Sequence, residues 1–234
     1  MTHKHITLFL CLLLTMLLVT AGWAQNNARP VITPDQGVMQ LDDIGLYQVG
    51  GRLRSGVALP LPVGWEGGLD AGPHGMACQS MGTQNGKTAW LLHCPWKDAT
   101  GIAYQEFTVK LPRVSKITLS GATALRADAV GKSDGVTFRV YVDGQKQLEV
   151  NRTDAAWKSF TFDLTPEAGK TVTLRFETDP GPQDDSSFDF ALWGDRRLTL
   201  AGFRPVKVSH PAPPALDLRR LSSVQSSSIA PRSG

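Results

Sequence analysis

Apolar and polar positions alternate with a period of two along the middle of the chain. In GVTFRVYVDGQKQLEV (135–150), Val136, Phe138, Val140 and Val142 take every second place, and Thr137, Arg139 and Tyr141 fall between them. Successive side chains of a strand point to opposite faces, so this segment predicts a strand with one buried and one polar face. Asp143-Gly144 supplies the positive φ angles of a two-residue hairpin turn. The same alternation runs through Phe160, Phe162 and Leu164, and through Val172, Leu174 and Phe176. Shorter runs at 88–93, 104–111, 116–120, 188–193 and 198–200 read as further strands, and no segment shows helical periodicity. Short strands separated by turn residues predict an all-β fold, a single antiparallel β-sandwich.

The two ends read differently. An apolar run from Ile6 to Thr20 follows His3, Lys4 and His5, and Gly22 and Ala24 stand where a signal peptidase would cut before Gln25. Residues 1–24 therefore read as a secretory signal peptide. An uncleaved anchor is the alternative, because the run is nearly long enough to cross a bilayer. Residues 25–34 form a short polar lead, 35–208 the sandwich domain, and 209–234 a Pro/Ser-rich tail whose composition predicts disorder. Between Asp35 and Ala77, Pro and Gly recur so often that loops and short edge strands are expected. With 24 Lys and Arg against 21 Asp and Glu the formal charge is +3, and no basic cluster points to nucleic acid. There is no second apolar span, so cleavage predicts a protein free of the membrane, secreted, periplasmic or held at the cell surface. In such an oxidising compartment Cys78 and Cys94 are expected to pair as a disulfide; two free buried thiols are the alternative.

Three segments, SDGVTFRVYVDG (133–144), AAWKSFTFDLTPEAGKTVTLRFETDPGP (155–182) and SFDFALWGDRRL (187–198), stand in this order behind WLLHCPW (90–96) and YQEFTVKLP. Together they resemble the NPCBM-type carbohydrate-binding modules attached to secreted glycoside hydrolases. The resemblance runs from about Thr88 to Leu200. It implies a galactose-binding-like jelly roll without catalytic activity, a glycan or polysaccharide as partner, and a ligand site on loops at one end or on a concave face. Another secreted protein is a second expected partner, and a structural calcium is common in jelly rolls of this general type.

Binding a pyranose takes an aromatic face for its C–H side and planar polar groups for its hydroxyls. Trp96 follows Cys94-Pro95 on a stiffened loop and is the first candidate for stacking; Trp65 is a second. His93, Arg126 and Asp128 are candidates for hydroxyl contacts. Each also has a plain structural role open to it: Trp96 caps a core edge, His93 bonds inside the fold, and Arg126 pairs with Asp128. Trp157, just before a strand, reads as packing. Asp179, Asp184 and Asp185 share a Pro/Gly loop and are candidate calcium ligands, or simply a solvated acidic loop; calcium needs six to eight oxygens. Asp189, set between Phe188 and Phe190, reads as a structural anchor. No Gly-x-Ser-x-Gly, His-Glu-x-x-His or phosphate loop is present, and acids crowded on one loop match a glycosidase pair poorly. The expected function is a lectin-like module; the alternative is a structural or adhesion sandwich with no small ligand.

Overall fold

The computed structural model describes residues 29–205; the expected signal peptide (1–24) and Pro/Ser tail (209–234) lie outside them. Among the described residues are thirteen strands: β1 (Val31–Ile32), β2 (Val38–Gln40), β3 (Gln48–Leu53), β4 (Ala58–Val63), β5 (Ala77–Gln84), β6 (Lys87–His93), β7 (Gly101–Lys110), β8 (Lys116–Leu125), β9 (Val136–Val142), β10 (Gln145–Arg152), β11 (Lys158–Asp163), β12 (Thr171–Asp179) and β13 (Ala191–Ala201). A seven-stranded sheet runs in the order β10-β9-β12-β7-β3-β4, with β1 beside β7. A six-stranded sheet runs β11-β8-β13-β6-β5, with β2 beside β13. The pairings are antiparallel except that of β1 with β7. The all-β antiparallel sandwich expected from the alternation is the fold of the chain. The lead is not wholly outside it, because Val31 and Ile32 pair with Thr108 and Val109.

The inner faces are the ones the alternation marks. Phe107, Phe138, Val140, Leu174 and Phe176 come from the seven-stranded sheet, and Trp90, Ile117, Leu119, Trp193 and Leu198 from the other. Trp193 meets Phe138 and Phe176 edge to face, with ring centroids 5.0 and 5.3 Å away. Its Nε1 donates to Thr178 Oγ1 at 3.2 Å, which satisfies the one polar atom of the ring.

Two places depart from simple alternation. Residues 188–190, expected to open a strand, form a turn, and β13 starts at Ala191. Trp193 faces the core while Leu192 faces outward, so the buried set is the reverse of Phe188, Phe190 and Leu192. Further along β13 the register against β8 slips between Gly194 and Arg197, and Asp195 takes φ 47°. The slip turns Arg196 into the core, where its Nε and backbone N donate to the Asp42 carboxylate at 2.7 and 2.9 Å and Nη1 donates to Gln105 Oε1 at 2.7 Å. A guanidinium this deep is tolerable only because it is paired.

The Gly- and Pro-rich segment contributes more than loops. β4, with Pro60 and Pro62, is an edge strand, where missing N–H donors do no harm. β3 is interior, bonded to both β4 and β7. Its Gly50 makes room for Tyr104: a Cβ there would stand 2.5 Å from the phenol oxygen.

Candidate functional site

The outer face of the six-stranded sheet holds a small apolar patch of Ala77, Leu91, Ala124 and Leu192, with Met81, Trp157 and Phe190 packed against it. Above Ala124 and Leu192 lies a cleft of about 400 Å³. Trp157, on the approach to β11, forms one wall. Its ring lies across Gly194, where a Cβ would come within 2.8 Å of it, and its Nε1 donates to Gln84 O at 3.0 Å. The indole is thus fixed by contact on its face and a hydrogen bond at its edge. Met81 and Gln84 of β5 and Asn85 of the hairpin to β6 line another side. Asn85 (φ 47°) and Gly86 (φ 79°) supply the left-handed conformations such a tight turn requires.

Arg126 and Asp128 stand at the end of β8, on the cleft's rim. Arg126 Nε and Nη2 donate to the two carboxylate oxygens of Asp128 at 2.6 and 2.9 Å, a bidentate fork. The guanidinium also lies 3.7 Å above the Phe190 ring, and the Arg126 amide donates to Phe190 O at 2.9 Å. The guanidinium's hydrogen bonds hold the Asp128 carboxyl below the usual carboxylate range. The arrangement offers an apolar floor, an aromatic wall and a planar rim carrying both N–H donors and carboxylate acceptors.

The structure divides the residues singled out from the sequence. Arg126 and Asp128 meet in the cleft, as partners of one another. Trp96 and Trp65 do not line it; they pack on the 64–75 loop. Trp96 is 44% exposed and lies over Gly75, where a Cβ would stand 2.4 Å from its Nε1; its amide donates to His74 O at 2.8 Å. Trp65 is half-buried against Gly67, Gly72 and the core.

His93 is a correction. It is buried, its Nδ1 lies 2.7 Å from Cys94 O, and its ring packs 5.5 Å from Phe190. Burial pushes its pKa down to about 4, so it stands neutral beneath the surface and out of reach of a ligand.

The disulfide is a second correction: Cys78 and Cys94 are free, buried thiols. Cys78 stands opposite Leu92 in the β5–β6 register, whereas Cys94 lies beyond the end of β6 and its Sγ donates to Thr178 O at 3.2 Å, in the other sheet. Burial pushes the Cys78 thiol up to about 12 and that of Cys94 well up as well, so neither is a thiolate.

Asp179, Asp184 and Asp185 do not fit a calcium ion. Arg54 donates to Asp179 at 3.0 Å and to Asp184 at 2.7 Å, Arg139 adds a bond to Asp179 at 3.0 Å, and Thr100 Oγ1 donates to Asp184 at 3.0 Å. Asp185 accepts from the Ser187 amide at 2.9 Å. Among the described residues no group of three or more His, Cys, Asp or Glu is placed to hold a metal ion. Asp189 is structural as expected, accepting from Ser133 Oγ at 2.6 Å.

Trp157, Met81 and Gln84 are cleft residues that the sequence reading does not place there. For Trp157 the signal is its position just before a strand, which reads first as packing because of the large apolar area the ring can bury.

No family model matches the chain. An uncharacterised protein of Archaeoglobus fulgidus is 36% identical over 102 residues, covering 38% of this chain and 25% of that protein, so the chain spans a quarter of the length of the curated relative it matches. Among solved structures, the chain is similar to CBM51 from Clostridium perfringens GH95 in complex with methyl-galactose, at 13% identity and TM-score 0.37 over 72% of this chain and 91% of that one. It is also similar to the CBM22-1 xylan-binding domain of Paenibacillus barcinonensis Xyn10C, at 16% identity and TM-score 0.37 over 59% and 92%. A family 35 carbohydrate-binding module of Clostridium thermocellum gives 14% identity and TM-score 0.32 over 53% and 88%. Likeness this distant carries no argument about a shared ligand.

Proposed function

We propose that the chain is a secreted, non-catalytic carbohydrate-binding module that takes a glycan in the cleft on the six-stranded sheet. The observation that carries this reading is the pairing of a fixed indole, Trp157, with the Arg126–Asp128 fork across one apolar hollow. The C–H face of a pyranose packs against the indole and the Leu192 floor, while ring hydroxyls bond to the guanidinium and carboxylate edges. Trp157 is held before any ligand arrives, so little ordering remains to oppose binding. Two of the segments that resemble NPCBM-type modules, 155–182 and 187–198, supply Ala155, Trp157 and Leu192 to this cleft.

The same geometry speaks against glycoside hydrolysis there. That chemistry uses two facing carboxyl groups, one of which carries a proton as general acid. Asp128 is the one carboxylate lining this cleft, and its bonds to Arg126 favour the ionised form.

A panel of neutral glycans and polysaccharides tests the reading. Folded mature protein should bind one glycan class, and Trp157→Ala should weaken that binding at least about tenfold, the loss of one well-packed aromatic contact. Folded protein silent across the panel would overturn it and leave the structural or adhesion sandwich.

A further inference from the structure

A guanidinium at the rim of a sugar cleft is suited to a carboxylate, because its planar fork matches the two oxygens. Here the chain fills that fork itself. A short turn at Ala127–Ala129, closed by the bond from the Ala129 amide to Arg126 O at 2.9 Å, brings Asp128 back beside the residue two places before it. Arg126 Nε and Nη2 donate to the two Asp128 oxygens at 2.6 and 2.9 Å, which leaves Nη1 as the one guanidinium nitrogen outside the fork. The pair does little for the fold: the Asp128 side chain is 58% exposed, and ion pairs in water contribute little to stability. Arg126 is also held without it, by the Phe190 ring 3.7 Å from the guanidinium and by the bond from its amide to Phe190 O at 2.9 Å. Among the described residues lining the cleft, Arg126 is the one cation and Asp128 the one anion, and Gln84 and Asn85 bring neutral amides.

Resting on the glycan reading, we propose that Asp128 determines specificity as a built-in counter-ion: it occupies the carboxylate place on Arg126, restricts the cleft to neutral sugars with neighbouring hydroxyls, and shuts out uronates. One hydroxyl of such a sugar donates to an Asp128 oxygen, and Nη1 is the donor that remains for its neighbour. A uronate has either to displace Asp128 from the fork or to lie beside it, and two carboxylates sharing one guanidinium repel each other. The discrimination comes from an unfavourable contact held ready against the wrong ligand, with no extra contact needed for the right one. The counter-ion stays charged throughout the neutral range, because the hydrogen bonds from Arg126 hold its carboxyl low, and Lys132 adds a weaker attraction.

Calorimetry with matched probes tests the role: the methyl glycosides of galactose and galacturonate, those of glucose and glucuronate, and xylo-oligosaccharides with and without a glucuronate branch. The native protein should bind the neutral member of a pair at least about tenfold more tightly than its acidic partner. Asp128→Asn removes the counter-ion and leaves Arg126 held on Phe190. It should lose about fivefold on the neutral sugar and gain about tenfold on the acidic one, so that the preference inverts, and the gain should fade as sodium chloride is raised. The double variant Asp128→Asn/Trp157→Ala should lose that gain, which ties it to this cleft; a gain that survives there overturns the proposal. Native protein that takes the acidic member as tightly as the neutral one, or Asp128→Asn that weakens both alike, also overturns it and leaves the glycan reading standing. Silence of native protein and Asp128→Asn towards every neutral glycan and every uronate overturns the glycan reading and the proposal together.

Discussion

The two outer faces of this sandwich are built by the same alternation and end up with opposite chemistry. On the seven-stranded sheet the outward places are filled by charge. Arg29, Glu106, Arg175, Glu177, Arg139, Asp179, Arg54 and Asp184 form one chain of alternating sign, with successive contacts of 2.9, 2.7, 3.4, 3.3, 3.0, 3.0 and 2.7 Å. Glu106, Glu177 and Asp179 are buried beneath the guanidiniums, and Tyr104 lies under Arg175 at 4.0 Å. On the six-stranded sheet the outward places at the centre are Ala124, Leu192 and Gly194, and the rim carries a single ion pair. A hollow of about 350 Å³ exists on the charged face too, beside Tyr141 and Arg175, but its Glu106, Arg175 and Glu177 are bonded to one another. The proposed binding face is therefore marked by small residues that leave room for an indole, and not by density of charge.

Acid should separate the two faces first. His93, buried at the end of β6 in the six-stranded sheet beside Phe190, has its pKa lowered to about 4, whereas the unfolded chain takes up the proton near 6.5. The unfolded state thus binds more protons between those values, and stability falls as pH drops from about 6.5 to about 4, by up to about 3 kcal/mol. Asp179 on the charged face behaves differently. Burial raises its carboxyl, but Arg54 and Arg139 outweigh burial and hold it below the usual range, so its contribution persists until more acidic pH. Denaturant midpoints across pH should lose the upper slope in His93→Gln and keep the lower one.

Binding should break the comparison next. Trp157→Ala should cost about 2 kcal/mol of glycan affinity, or about thirtyfold by calorimetry. Asp128→Asn, which keeps the shape of the fork but not its charge, should cost about fivefold, within the range of a weakened charge-assisted hydrogen bond. The smallest effect on binding belongs to the charged face. Arg175→Ala, which breaks half-exposed pairs, should lower stability by about 1 kcal/mol and leave glycan affinity unchanged.

Much of the sandwich is legible in the sequence because four segments, β9 to β12, keep strict alternation over their cores. β3 is not, because Gly50 and Gly51 erase the apolar signal at the very places where Tyr104 and Met76 need room. A period of two also leaves open which set faces inward: Trp193 lies inside and Leu192 outside, and only the neighbours Phe138 and Phe176 settle it. The disulfide expectation rested on compartment, and the register of β5 against β6 sends the two thiols to different neighbours. Arg126 and Asp128 are legible as a pair. Trp157 is harder to place, since a large apolar ring predicts burial but not the face on which it lies.

The central claim is that a glycan sits on the six-stranded face. Titration of the best ligand from a glycan panel into Trp157→Ala and Arg175→Ala, both checked for folding, tests it most directly. The account predicts that Trp157→Ala loses at least about tenfold in affinity while Arg175→Ala binds as the native protein does. Full affinity in Trp157→Ala, with loss in Arg175→Ala, would place the ligand on the charged face and contradict it.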